Sequence, residues 1–453
     1  MNFRLAFIAA GAFALAACDS DNNNRNAPDP VGLAAIQVIH GSPDAPAVNV
    51  TANGNPVLTD FDFGESSGLI NVEAGTYSIA VDGILPGGTA TVIGPVDLTF
   101  EAGQVYTIAA LNSCGDAACS GIEAFVSSGV ADVPVSAGSA RLYVVHGVPG
   151  VAVDVYVTDP AAVLANEAPT ATFNYQDVIG PVEVPADNYR IRVTLAGDSE
   201  AVVFDSGEIA LGDGTDLRLA AVPNVYGGPG ALSLIGVSNA GPVQLLDAGT
   251  PTAVRIGHLS PDTGAVDVIV DGDVLLDDVT FPAVTGFTPL PPATYNVSVT
   301  DGDQTIVAIG PVDLTFEAAT WYTILAVDEF AAIEPLIATD DPRPLATSAK
   351  VRIIHAASAD AADPVDIWVT EPGAAITDVV PTLSAVPFKA NTGYLALPAG
   401  TYEVNVAPAG TTNAVITGTI EIANGGVYTA IARDPEPESM EFGLIVLPDV
   451  IDD

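Results

Sequence analysis

Residues 77–81, Tyr77-Ser78-Ile79-Ala80-Val81, form the stretch that decides the fold of this chain. Apolar and polar side chains alternate along it, and a period of two indicates a β-strand with one face buried and one in water. The same pattern returns at residues 189–193, 295–299 and 402–406, each time beginning with tyrosine. The chain is therefore expected to contain four copies of one β unit.

Each tyrosine closes a spaced set, in which an aromatic residue is followed five positions later by glycine and nine positions after that by tyrosine. The sets are Phe63/Gly68/Tyr77, Tyr175/Gly180/Tyr189, Phe281/Gly286/Tyr295 and Phe388/Gly393/Tyr402. Earlier in each copy an apolar stretch ends in one of the four histidines of the chain, His40, His146, His258 and His355. Residues 93–102 recur unchanged at 309–318. These patterns favour a two-domain unit duplicated in tandem, because copies of this length are domains and solenoid repeats are much shorter.

The pattern within a copy predicts a sandwich of two sheets. We expect about seven short strands per copy, with turn-forming residues between them. The tyrosine at the end of Pro398–Tyr402 is similar to a tyrosine corner, whose hydroxyl bonds to nearby backbone. We therefore predict an all-β chain of four tandem immunoglobulin-like, Greek-key β-sandwich domains. The predicted domains span residues 34–131, 139–238, 251–340 and 349–448, and linkers such as 134–138 and 340–344 join them.

The N-terminus predicts export and a lipid anchor. A short basic start precedes an apolar run from Leu5 to Ala14, which is too short for a permanent membrane span. The small residues before Cys18 resemble the lipobox of bacterial lipoproteins, in which the cysteine is acylated and becomes the new N-terminus. We expect residues 1–17 to be a signal peptide, Cys18 to carry lipid, and residues 18–33 to include a flexible polar tether. The alternative is an ordinary signal peptide with an incidental cysteine.

Cys114 and Cys119 are the only other cysteines of the chain. The compartment beyond the inner membrane is oxidising, and the lipid on Cys18 would leave that residue unavailable for pairing. We therefore predict a disulfide between Cys114 and Cys119 across the four intervening residues. Only the first copy has these cysteines, so the bridge would hold one loop and is not part of the common fold.

The balance of charge limits the possible partners. There are 12 basic and 56 acidic residues, which gives a formal net charge of -44, and this excludes nucleic acid as a partner. The apolar content of 49% excludes a disordered acidic chain. Acidic turns such as 271–273 and 301–303 could hold calcium weakly, but no twelve-residue calcium loop is complete. A solvated acidic surface is the simpler interpretation.

Two motifs, His40–Pro46 and Pro398–Tyr402, resemble the bacterial domain of unknown function 4397 family. The resemblance covers nearly all of the mature chain as four copies. It implies exported or envelope-anchored β-sandwich modules, often in tandem, with no established activity and no known catalytic residues. The second copy departs from the motifs at 148–150 and 187–188.

The histidines are the main candidates for chemistry, since acidic residues lie near them in the sequence. Each histidine nevertheless continues an apolar row, so its imidazole is expected to point inward at a strand end. One histidine per domain also excludes a multi-histidine zinc site within a domain. We therefore assign structural roles to the four histidines and to Tyr77, Tyr189, Tyr295 and Tyr402, and we predict no catalytic residue, no bound metal and no cofactor.

These observations predict a lipid-anchored protein of the bacterial cell envelope, at the outer membrane or at the periplasmic face of the inner membrane. We expect it to be a structural, adhesion or binding module and not an enzyme. The alternative is a periplasmic or surface binding protein for a glycan or a divalent metal. The expected partners are the membrane, through the lipid, and an unidentified envelope or extracellular ligand.

Overall fold

The chain folds as four β-sandwiches, as the sequence predicts. The computed structural model describes residues 32–112, 121–359, 363–436, 439 and 441–450. Within these ranges each domain has eight or nine strands, more than the seven predicted, and they form two sheets. Cys18, Cys114 and Cys119 lie outside the described residues.

The first two domains contain nine strands each. Domain 1 consists of β1 (Leu33–His40), β2 (Val48–Ala52), β3 (Asn55–Phe61), β4 (Ser66–Glu73), β5 (Gly75–Leu85), β6 (Gly88–Phe100), β7 (Gln104–Asn112), β8 (Ile122–Val126) and β9 (Val130–Ala131). Domain 2 consists of β10 (Ser139–His146), β11 (Val153–Thr158), β12 (Ala171–Phe173), β13 (Val178–Pro185), β14 (Asp187–Leu195), β15 (Val202–Leu211), β16 (Asp216–Pro223), β17 (Leu232–Ser238) and β18 (Gly241–Leu245).

The last two domains contain eight strands each. Domain 3 consists of β19 (Thr252–Leu259), β20 (Val266–Val270), β21 (Asp273–Val279), β22 (Thr288–Leu290), β23 (Ala293–Asp301), β24 (Val307–Phe316), β25 (Trp321–Val327) and β26 (Glu334–Asp340). Domain 4 consists of β27 (Ala349–His355), β28 (Val365–Thr370), β29 (Leu383–Val386), β30 (Leu395–Leu397), β31 (Gly400–Pro408), β32 (Ile416–Ile422), β33 (Val427–Arg433) and β34 (Gly443–Pro448). Single-turn 3-10 helices lie at Leu164–Asn166, Phe330–Ala332 and Ile376–Asp378.

All four domains share one topology. In domain 3 the first sheet has the order β22-β19-β25-β26 and the second has the order β21-β20-β23-β24. The first strand of each domain thus lies inside a sheet, antiparallel to one neighbour and parallel to the other, as β19 is to β25. The second sheet is antiparallel throughout. The histidine at the end of the first strand therefore lies in the middle of a sheet.

The domains associate in pairs through their first sheets. Between domains 1 and 2, buried Ile39 and Leu111 pack with Val145 and Ile235 in one apolar cluster. Between domains 3 and 4, a second apolar cluster joins the facing sheets; it contains Leu259, Leu325, Val327, Ile354 and Ile431. First strands are consequently covered on both faces, and all seven residues of β27 are buried. The pairing shows that the linkers do not separate independent domains.

The two pairs also contact each other. Arg343, between domains 3 and 4, donates hydrogen bonds to the carbonyl oxygens of Pro43 and Ala45 in domain 1, at 3.1 and 2.8 Å. Its guanidinium also lies 2.6 Å from a carboxylate oxygen of Asp62. The connection between domains 3 and 4 is therefore fixed to domain 1. No helix in the described part of the chain is both long and apolar enough to cross a membrane.

Candidate functional site

The histidines close the loops that leave the first strands. The Nε2 of His40 lies 3.1 Å from the carbonyl oxygen of Pro46, and His146 and His258 make the same contact with Val151 and Gly264. A carbonyl oxygen can only accept, so Nε2 carries the proton in each. His355 is also buried, at the end of β27.

Burial lowers the pKa of three of these histidines below the usual value, namely His40, His146 and His258. Desolvation outweighs the hydrogen bond to the carbonyl oxygen, which acts in the opposite direction. The ring is therefore neutral at neutral pH and holds the loop.

The four signature tyrosines occupy one repeated geometry. The hydroxyl of Tyr77 donates to the carbonyl oxygen of Glu73 at 2.8 Å, and Tyr295 does the same with Pro291. Tyr189 and Tyr402 likewise bond to the carbonyl oxygens of Pro185 and Pro398. Every acceptor lies four residues before its tyrosine, so each hydroxyl ties the start of its strand to the preceding turn.

The carboxylates of the acidic turns accept hydrogen bonds from backbone N–H groups. Asp271 accepts a hydrogen bond from the backbone N–H of Asn296, and Asp301 accepts from the N–H groups of Thr305 and Ile306. The hydrogen bonds that Asp301 accepts, chiefly that from Ile306, lower the pKa of Asp301. Across the described residues, no three histidine, cysteine, aspartate or glutamate side chains are arranged to hold a metal ion.

A buried ionic cluster joins domains 3 and 4. Arg255 of domain 3 lies 2.9 Å from a carboxylate oxygen of Asp449 in domain 4, and Arg352 of domain 4 pairs with Asp340 of domain 3. Thr323 and Thr429 bond to the same carboxylates, at 2.9 and 2.7 Å. The closest carboxylate of each arginine thus belongs to the other domain, and Arg255 also lies 3.5 Å from Asp340 of its own domain.

Domains 1 and 2 have a weaker polar contact at the same place. Gln37 occupies the position of Arg255 and donates from its side-chain amide to the carbonyl oxygen of Arg218, at 3.0 Å. The hydroxyl of Thr107 donates a hydrogen bond to the side-chain oxygen of Gln37, at 3.2 Å. The guanidinium of Arg218 lies over the ring of Tyr143. The two pairs therefore share a geometry but differ in charge.

The interior of domain 3 contains an apolar cavity between its two sheets that is larger than those of domains 1 and 2. It has a volume of about 310 Å³, and its walls include Ile256, Val268, Val299, Ile309 and Phe316. The corresponding cavities of domains 1 and 2 measure about 90 and 40 Å³. The size of this cavity distinguishes domain 3 from domains 1 and 2.

Sequence reasoning identified the histidines and the tyrosines but missed the ionic cluster and the cavity. Arg255 and Arg352 share one position, three residues before the histidine of their copy, and this repeated cation was the available signal. The sequence gives less indication of the cavity, because the size of the cavity depends on which side chains of the two sheets face each other in the core.

Comparison with known proteins agrees with the repeated architecture. No curated protein matches the chain significantly. The sequence profile of the domain of unknown function DUF4397 matches four times, at residues 34–133, 140–244, 252–368 and 349–452. These matches cover almost all of the chain outside its first residues. The chain therefore belongs to the DUF4397 family, a domain of unknown function, and contains it as tandem copies.

Proposed function

We propose that this protein is a non-enzymatic scaffold of the bacterial cell envelope, anchored in the membrane through lipid on Cys18. The observation that carries the scaffold role is the burial of polar and apolar side chains between domains. Asp340 and Arg352 are fully buried across one such interface, and Arg343 links the two pairs. A chain held at several interfaces keeps its outer surfaces at fixed positions, which is the property that a spacer or adhesion module needs.

The histidines and acidic turns support a role without catalysis. A general base needs a site where it can reach a substrate proton. His40, His146 and His258 instead hold backbone carbonyls with Nε2 and are at most 3% exposed. Their use in loop closure is the same in three domains, whereas an enzyme needs one copy with a distinct polar cluster.

Membrane fractionation tests the anchor. Replacement of Cys18 in Cys18→Ser should move the protein from the membrane fraction to the soluble fraction, because the thiol that accepts lipid is lost. The matched control is Cys114→Ser/Cys119→Ser, which removes two cysteines and should leave the protein in the membrane. A Cys18→Ser protein that stays in the membrane fraction would exclude lipid anchoring at this residue.

A further inference from the structure

We propose that domain 3 binds one small, uncharged, hydrocarbon-rich molecule in the cavity between its two sheets. The role is independent of the scaffold function, since it depends on one domain interior and not on the anchor or on the domain interfaces.

The cavity has the size and lining of a ligand site. Small-molecule pockets have volumes of about 300–1,000 Å³, and this cavity has about 310 Å³. It is about twice as large as an engineered apolar cavity of about 150 Å³ that stays dry and binds benzene. Valine, isoleucine, leucine and phenylalanine form most of its wall. An apolar ligand with the bulk of about two benzene rings fits this space.

The cavity is accessible from solvent. Val274, Leu275 and Val312 line it, and they are 44%, 49% and 37% exposed. Side chains of this kind are normally covered in a closed sandwich, where the edges of the two sheets meet. Their exposure marks the mouth through which a ligand enters.

One position distinguishes domain 3 from domains 2 and 4, although domain 1 has an even smaller side chain there, Ala124, and a cavity of only about 90 Å³. The position is defined by the register of the first sheet. In each domain the histidine of the first strand lies opposite an alanine of the parallel neighbouring strand. That alanine in turn lies opposite one residue of the next strand in the sheet. That residue is Leu234 in domain 2 and Leu444 in domain 4, but Pro335 in domain 3. Leu234 is buried in its core, and Leu444 lies against Gly418 of the opposite sheet. Pro335 is shorter and leaves the space empty.

A second position has the same effect. Ile309 of domain 3 pairs with Val299, and at the matching place in domain 2 Phe204 pairs with Val193. Phe204 is fully buried in the core of domain 2. The smaller isoleucine therefore leaves more space in domain 3 than Phe204 leaves in domain 2, and domain 1 has an isoleucine, Ile93, at the same place.

The negative charge of the surroundings disfavours an anionic ligand, and the apolar lining disfavours any charged ligand, because burial of a charge without a partner is costly. Asp273 is the only acidic residue of the cavity lining, and the whole chain has a formal net charge of -44, so a carboxylate or phosphate is repelled. His258, also in the lining, donates Nε2 to Gly264 and leaves Nδ1 without a hydrogen-bond partner within the described residues. A neutral imidazole offers no positive charge to an anion.

Fluorescence titration with N-phenyl-1-naphthylamine, an uncharged aromatic probe, tests the site. The Cys18→Ser chain is used throughout, so that no detergent is needed. We expect saturable binding of one probe per chain. In Pro335→Leu and in Ile309→Phe the affinity should fall about tenfold or more, because each change fills the cavity as in domain 4 or domain 2. The matched control is Ala124→Leu, which places a leucine at the equivalent position of domain 1. This control should leave the affinity unchanged.

Competition then tests the class of ligand. Decanol should displace the probe, whereas decanoate, which has the same chain length and a negative charge, should not. Unfolding curves of both filled variants verify that they fold. The proposal fails if the parent protein shows no saturable binding, or if both folded filled variants bind the probe as tightly as the parent. Equal displacement by decanoate would exclude selection for an uncharged ligand.

Discussion

At the scale of single residues, the charges between domains 3 and 4 dominate. Arg352 and Asp340 are both fully removed from water, and burial lowers the pKa of Arg352. The removal of two ions from water is costly, so the attraction between them only offsets that cost. Such a pair therefore contributes little to stability relative to apolar residues, but the loss of one member is severe.

We predict that Arg352→Ala destabilises the pair of domains 3 and 4 by about 1–3 kcal/mol, because Asp340 loses its closest cation and keeps only Arg255, whose guanidinium lies 3.5 Å away. The free energy of unfolding from denaturant titration measures the effect. Arg190→Ala is the control: Arg190 pairs with Asp205 but is partly exposed, and its loss should cost about 0–1 kcal/mol. If Arg352→Ala costs no more than Arg190→Ala, the buried pair does not have the energetic role assigned to it.

Residue positions in the sequence do not reveal this cluster. Arg255 and Asp449 are 194 positions apart in the numbering and meet only because two domains associate. The apolar residues that precede each histidine were recognised because side chains on one face of a strand recur at every second position. The opposite face of the same strand has polar residues, and only tertiary packing shows that it is buried as well.

At the scale of elements, strands were predictable and their pairing was not. The alternation at residues 77–81 lies within β5, and the equivalent stretches lie within β14, β23 and β31. The parallel pairing of first strands such as β1 with β7 joins segments far apart in the chain, and periodicity contains no information on such partners. The short strands β12, β22 and β30 were too brief to give a pattern, which accounts for the low strand count predicted.

Three of the first-strand histidines, His40, His146 and His258, make stability depend on pH. Burial lowers the pKa of His40, His146 and His258, so these rings are neutral when folded and take up protons on unfolding. The unfolded state then binds more protons, and the free energy of unfolding decreases as pH falls below the unfolded pKa of about 6.5. The slope reaches about 1.4 kcal/mol per pH unit for each histidine, and it disappears above about pH 7.5.

His258→Gln tests this dependence, because a glutamine amide can donate to Gly264 but does not titrate. We expect a smaller loss of stability in this variant than in the parent between about pH 7 and pH 5.5, above the range in which carboxylates titrate. Denaturant titrations at several pH values provide the measurement. Equal pH dependence in the two proteins would show that His258 does not take up a proton on unfolding.

At the scale of the whole molecule, the domains form two pairs. The duplicated decapeptide predicted a two-domain unit, and the structure contains that unit as domains 1 with 2 and domains 3 with 4. Sequence reasoning did not foresee that paired domains share a buried surface. Four separate β-sandwiches would have the same alternation of apolar and polar residues as two associated pairs. The periodicity of the sequence therefore does not show whether the domains associate.

We predict that each pair unfolds as one cooperative unit, because Ile354 and Ile431 of domain 4 would be exposed if domain 3 unfolded alone. Calorimetry of the full chain should show two main transitions, and Arg352→Ala should lower the melting temperature of only one of them. Four separate transitions, or a change confined to domain 4, would contradict cooperative pairs.

The reciprocal ionic cluster also determines which domains can associate as the chain folds. Tandem domains of similar sequence are prone to misassembly with the wrong neighbour. If domain 4 met domain 1, Arg352 would face Val130, which occupies the place of Asp340, and Asp449 would face Gln37. Arg352 would then lose Asp340 and Asp449 would lose Arg255, so each buried charge would keep only the other within domain 4. The buried arginines and aspartates are thus expected to favour the association of domain 3 with domain 4 over their association with domains 1 and 2.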